Sequence, residues 1–192
     1  MQERPHLHAD DPFRSAPVWA VMTTTLFGVE PKSTAVLSPD GLYRYNLTRT
    51  WGDGPIATFL MCNPSKADAS ANDPTIVRCR EFAKSWGCGG IDVGNAYGWK
   101  STDPKGLWVA ADPVGPENDE WLIKLAANAT VFGWPVVAAW GVNVKPDRVR
   151  QILALPGMES LQALGVTKSG APRHPLYLRR DAVLRPWPPD GN

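Results

Sequence analysis

Four polar side chains fall close together in F-L-M-C-N-P-S-K-A-D-A-S-A-N-D-P, residues 59–74: Asn63, Ser65, Asp68 and Asp73. An asparagine beside aspartates can orient a water molecule, and one carboxylate can take its proton where the surroundings set a suitable pKa. Asp68 is the freer acid. Asp73 directly precedes Pro74, so it also reads as a helix N-cap with proline in the first helical position. The same residue types equally make plain Asx and Ser turns. Cys62 borders the stretch, but a buried free cysteine is more often packing than chemistry.

Asn95 follows the short run G-I-D-V, in G-N-A-Y-G-W. Its amide offers both donor and acceptor to one polar heterocycle, which suits a nucleobase. The alternative is an asparagine bonded within its own turn. Tyr97 and Trp99 add aromatic surface to the same loop. His174 lies in P-R-H-P-L-Y-L, between two prolines and beside Arg173. A histidine so held can donate to an anion developing on a substrate, and loss of one such donor costs roughly 3 to 4 kcal/mol of transition-state stabilisation. Otherwise it caps a local carbonyl. One histidine without a partner makes a poor metal site, and no metal or other cofactor is predicted.

The elements that must hold these residues follow from periodicity. Residues 34–38 and 42–50 are β-prone runs joined by Pro39-Asp40-Gly41, a hairpin signal. Residues 56–61 form a nearly unbroken apolar run, as in a strand buried on both faces. Ile76, Cys79, Phe82, Ala83 and Trp86 recur at helical spacing, and Gly87 stands where a helix stops. A short strand follows at 90–93 and a helix begins near 115–120. A third buried strand is expected at 135–140, a helix at 146–155 and a fourth strand at 160–164. The tail from 165 shows no clear period, and Asp103-Pro104 marks a short helical turn. Strands alternating with helices predict a three-layer α/β/α fold, with a central, mainly parallel sheet of about four strands plus an N-terminal β-hairpin. In such a sheet, ligands bind outside the carboxyl ends of the strands. The loops near Asn63, Asn95, Trp140-Gly141 and His174 should therefore gather on one edge.

Composition narrows the classes. The chain has 192 residues, enough for one domain with a real core. Residues 1–17 read as a flexible N-terminal segment, 18–187 as a single domain and 188–192 as a tail. His6 and His8 belong to the first of these. No apolar stretch approaches the roughly 20 residues that span a bilayer, and no signal-peptide pattern is present. Three cysteines without C-x-x-C spacing argue against a disulfide framework and a cysteine zinc site, and fit a cytoplasmic location. No glycine-rich phosphate loop occurs, so ATPase and dehydrogenase readings are weak. The net charge is only +1, yet Lys168, Arg173, Arg179, Arg180 and Arg185 cluster late in the chain. Such a cluster can follow nucleic-acid phosphates, although it can equally be a solvated face.

M-C-N-P-S-K-A-D, N-D-P-T-I, N-A-Y-G-W-K-S-T-D-P, A-A-W-G and T-K-S-G-A-P-R-H-P-L-Y-L together resemble an uncharacterised family of short bacterial and phage-encoded proteins. A more distant resemblance is to the uracil-DNA glycosylase superfamily. Asn63-Pro64-Ser65, Asn95, Trp140-Gly141 and His174-Pro175 occur in the order of that superfamily's motifs. The resemblance implies Asn63 near the water or sugar, Asn95 on the base edge and His174 near a base carbonyl. The first motif lacks the following aspartate and tyrosine of the most active uracil-specific enzymes, and resembles the asparagine type of mismatch-directed relatives.

The expectation is a glycosylase-like enzyme that recognises an extruded, modified or unmodified base and hydrolyses its N-glycosidic bond. Asn63, Asp68 and His174 are its catalytic candidates. Ser65, Asp73, Asn95, Tyr97 and Trp99 are expected on substrate, and Lys168, Arg173, Tyr177, Arg179 and Arg180 on nucleic acid. The alternatives are an enzyme of free nucleosides or nucleotides and a non-catalytic reader of modified bases. Each takes a nucleic acid, DNA ahead of RNA, or a nucleotide as partner and none a membrane.

Overall fold

The computed structural model describes residues 32–65, 73–102 and 106–188. Asp68, Asp103-Pro104 and the segments 1–17 and 189–192 lie outside the described residues.

The chain forms a mixed α/β fold around one seven-stranded sheet. Strands β1 (Ser33–Leu37) and β2 (Arg44–Thr50) make the expected antiparallel hairpin, with Ala35 opposite Leu47. Asp40 closes its turn by accepting from Ser38 Oγ at 2.5 Å and from the Leu42 amide at 3.0 Å. Strand β3 (Ile56–Met61) runs parallel to β4 (Gly90–Asn95) on one side and to β5 (Val136–Ala138) on the other. Strand β6 (Gln162–Ala163) continues the parallel run beside β5, and β7 (Arg185–Pro186) closes the far edge antiparallel to β6.

The spatial order is β1-β2-β4-β3-β5-β6-β7. Four consecutive strands, β4, β3, β5 and β6, are parallel, but β2 meets β4 antiparallel. The sheet is therefore mixed and larger than expected. The hairpin joins it edge to edge, and the tail adds a strand too short to show a period.

Helix α1 (Pro74–Ser85) begins where Asp73 caps it: Asp73 Oδ1 accepts from the Ile76 amide at 2.9 Å. It ends before Gly87, whose φ of +77° is the left-handed conformation that glycine adopts without strain. Helices α2 (Asn118–Val131) and α3 (Pro146–Leu153) follow β4 and β5 respectively. Neighbouring side chains of β3 enter different cores. Phe59 and Met61 pack with Ile76, Cys79 and Phe82 of α1, whereas Leu60 packs with Leu122 and Ala126 of α2 and Ile152 of α3. Each fully buried side chain of this size contributes about 1.5 to 3 kcal/mol relative to exposure.

Two details set the site. Pairing between β3 and β4 continues to Met61 opposite Asn95, so Asn95 is the last residue of a strand rather than the first of a loop. At Gly94, an added Cβ would lie 2.9 Å from Leu122 Cδ2 and Leu125 Cδ1, because α2 sits directly on the strand there. The backbone under Asn95 is thus held from the helix side.

Candidate functional site

The carboxyl ends of β3, β4 and β5 and the chain after β6 converge on a cleft of about 470 Å³. Clefts of this size are usual for small-molecule sites. Asn63, Ser65, Asp73, Asn95, Trp140, Gly141, Arg173, His174 and Tyr177 all line it.

Asn63 stands just beyond β3, and its amide is oriented by backbone. Nδ2 donates to the Ser101 carbonyl at 2.8 Å and to the Pro64 carbonyl at 3.1 Å. The Ser101 amide returns a bond to Pro64 O at 3.1 Å, so the two loops are stitched reciprocally. With both donor contacts made to protein, Oδ1 is the polar atom that Asn63 has left to offer a water or ligand.

Asp73 is differently committed. Its Oδ1 caps α1, and its Oδ2 accepts the Ser65 hydroxyl. An aspartate engaged at both oxygens is a poor general base; it fixes the loop and the helix start.

Asn95 is 1% exposed, and its Nδ2 has no hydrogen-bond partner among the described residues. A buried amide left without a partner costs about 1 to 3 kcal/mol. Asn95 lines the cleft, so an acceptor on a bound ligand is a candidate partner for this unmatched donor.

His174 begins the short 3-10 turn Pro175–Tyr177, and its Nδ1 accepts from the Leu176 amide at 3.3 Å. That bond leaves Nε2 as the nitrogen carrying hydrogen in the neutral ring. Burial pushes the His174 pKa below its ordinary value, against an opposing pull from Asp73. The ring is thereby favoured as a neutral donor. Arg78 of α1 holds this turn in place by donating to the Leu178 carbonyl at 2.6 Å. Gly141, with φ +74°, turns the chain beside it, and a Cβ there would lie 3.6 Å from His174 Cβ.

Other candidates lie elsewhere. Tyr97 is buried, and its hydroxyl accepts from the Lys145 amide at 3.1 Å. Trp99 packs edge-on against Tyr43 and touches the core. Lys168 is exposed away from the cleft lining. Arg179 is bonded to Asp181, and Arg180 lies 3.6 Å from Glu81. Both arginines are exposed and outside the cleft lining.

The cleft also contains residues not anticipated from sequence, among them Arg44, Thr75, Ser101, Thr102, Asn143 and Thr167. Arg44 is 3% exposed at the start of β2, where the only local signal was an arginine in a run of strand residues. Burial pushes the Cys62 thiol up to about 12, so it is not a thiolate nucleophile near neutral pH. Among the described residues, no three of His, Cys, Asp and Glu group as a metal site, and no helix is long and apolar enough to cross a membrane.

A family model described as a protein of unknown function (DUF1643) matches residues 44–176, a span that includes every cleft-lining residue except Tyr177. No curated protein and no solved structure gives a significant match.

Proposed function

From the premise that the chain belongs to this family, DUF1643, whose description assigns no activity, we propose that the cleft receives an extruded nucleobase of DNA and that the protein hydrolyses its N-glycosidic bond, as uracil-DNA glycosylase-like enzymes do. The observation that carries the reading is the buried, unpartnered Nδ2 of Asn95, in a cleft shared with Asn63 and His174. We also read the two cores, with α1 in one and α2 and α3 in the other, as the layers of an α/β/α sandwich.

In this reading Asn95 donates to an acceptor on the base edge. His174, neutral and protonated at Nε2, donates to a base carbonyl. As the C1′–N bond breaks, its electron pair leaves with the base, and charge grows at that carbonyl where the histidine hydrogen bond strengthens. Asn63 Oδ1 accepts from the attacking water and aims its oxygen at C1′. Asp73 is committed to Ser65 and to the cap of α1, and the proton that the water loses on bonding to C1′ neutralises the departing base anion. Base extrusion costs a few kcal/mol, and Tyr177, 80% exposed at the cleft, supplies aromatic surface to offset part of it.

A second reading, an enzyme of free nucleotides, draws support from the tail. Arg179 and Arg180 each face a carboxylate, which reduces their availability to a phosphate chain.

The test is incubation of the protein, and of an Asn63→Ala/His174→Ala variant, with DNA carrying natural, deaminated and bulky modified bases. Released bases are identified by mass spectrometry. Release by the parent alone establishes the enzyme and names its substrate. Absence of release from DNA, with release from free nucleotides, transfers the assignment to the second reading. Selective binding without release in either case makes the protein a reader.

A further inference from the structure

The unpartnered Asn95 amide raises a physical question: why the chain does not shift to satisfy it. A polar group held in an unfavourable state persists only where its surroundings over-determine it.

The surroundings here are specific. Asn118, the first residue of α2 and 0% exposed, donates from Nδ2 to the Asn95 carbonyl at 3.0 Å and to the Ala96 carbonyl at 3.4 Å. Arg148 of α3, 4% exposed, donates from Nε to the Ala96 carbonyl at 2.8 Å. From the other side, the Ala96 amide donates to Met61 O at 2.8 Å and the Tyr97 amide to Cys62 O at 2.9 Å. The peptide planes 95–96 and 96–97 are therefore each fixed at both their carbonyl and their N–H. Arg148 is itself anchored, its guanidinium on the Asp119 carboxylate and 3.3 Å from Gln151 Oε1.

We propose that Asn118 and Arg148 are positioning residues: they hold the carbonyls of Asn95 and Ala96 so that the Asn95 amide stays in the cleft, unpartnered and ready for a ligand acceptor. The proposal rests on Asn95 being a ligand-facing group. Neither residue touches the cleft; both act through the backbone that carries Asn95. Arg148 connects α3 both to this backbone and to Asp119 on α2, so its two functions separate by substitution. Arg148→Met removes both. Asp119→Asn weakens the ion pair and leaves Nε free to bond Ala96.

The experiment uses the full chain without ligand. The side-chain amide resonances of Asn95 are assigned in a ¹⁵N–¹H spectrum by their disappearance in Asn95→Ala. They are then followed in Asn118→Ala, Arg148→Met, Arg148→Lys and Asp119→Asn. The expected result is that the Asn95 pair moves by several linewidths and exchanges faster with solvent in the Asn118 and Arg148 variants. Signals of α1 and the β1-β2 hairpin should stay in place, and Asp119→Asn should move the Asn95 pair least. An unmoved Asn95 pair in the folded variants overturns the proposal, and so does an equal shift in Asp119→Asn. Failure of all three Asn118 and Arg148 variants to fold also overturns it, because the bonds then belong to the fold as a whole. Since no substrate enters the measurement, its failure is distinguishable from failure of the glycosylase reading, which base release decides separately.

Discussion

The Ser65 hydroxyl donates to Oδ2 of Asp73, while Asp73 Oδ1 caps helix α1 through the Ile76 amide. This one carboxylate joins the loop after β3 to the start of the helix, and it does so within the lining of the cleft. Two roles for Asp73 therefore make opposite predictions. As a cap and loop tie, Asp73→Ala should cost about 0.5 to 2 kcal/mol of stability, and Asp73→Asn much less, because asparagine caps about as well. For a chain of this length the alanine loss corresponds to roughly 2 to 4 °C in Tm per kcal/mol. Base release by Asp73→Asn should stay within a few-fold of the parent. If the asparagine variant melts like the parent but releases no base, the carboxylate is a catalytic base instead.

Much of this geometry was legible in the sequence. Asp73-Pro74 and Gly87 mark both ends of α1, and Pro39-Asp40-Gly41 marks the hairpin. The apolar run of β3 reads directly as a central strand, and the alternation of strands with helices places Asn63, Asn95 and His174 on one edge. What was not legible depends on contacts distant in sequence. Strand β7 has two residues, one a proline, and exists because Gln162 and Ala163 offer it an edge. Trp187 of the aperiodic tail packs edge-on against Trp140 and closes a core. Tyr97 and Trp99 looked like ligand contacts by position in a loop, but the fold turns them into packing. Arg44 looked like an ordinary strand arginine until the hairpin docked against β4 and brought it to the cleft.

His174 should titrate below the usual histidine value of about 6.5. Burial is the main cause, and Asp73 only partly opposes it. The unfolded chain then binds more protons than the folded one between the folded pKa and about 6.5, so stability falls as pH drops through that window. Above about 6.5 the contribution is complete. His174→Gln should flatten this part of the pH–stability curve, read as urea midpoints across the window. A His174 ring midpoint at or above the ordinary value, followed by NMR, would contradict the neutral-donor role.

Asn95 and Asn118 are both buried asparagines, and each leaves one amide atom without a partner among the described residues, Nδ2 in Asn95 and Oδ1 in Asn118. Asn118 Nδ2 is satisfied by backbone carbonyls, whereas Asn95 Nδ2 is not satisfied among the described residues. Removing a satisfied buried partner leaves the other group stranded and costs about 1 to 3 kcal/mol, while removing an unsatisfied one is close to neutral. Asn118→Ala should therefore lower the urea midpoint clearly. Asn95→Ala should change stability by less than about 1 kcal/mol while abolishing base recognition. Equal midpoints for the two variants would show that Asn95 has an internal role.

Tyr177 separates the polymer reading from the free-nucleotide one. Its ring is 80% exposed, lines the cleft and lies 5.6 Å from the His174 ring, centroid to centroid. An exposed side chain of this kind contributes little to folding, so Tyr177→Ala should alter stability by no more than about 0.5 kcal/mol. If a neighbouring base stacks on it, the substitution should weaken single-stranded DNA binding by about 1 to 3 kcal/mol, with little sequence preference. Arg179→Ala/Arg180→Ala provides the electrostatic comparison. If those cations follow phosphates, the variant should reduce the slope of log affinity against log salt, by up to about 0.7 for each single-strand phosphate that is no longer neutralised. Fluorescence anisotropy with a labelled oligonucleotide across a salt series reads both effects. Unchanged affinity in Tyr177→Ala, together with an unchanged slope in the arginine variant, would remove the nucleic-acid track and leave the cleft to a free nucleotide.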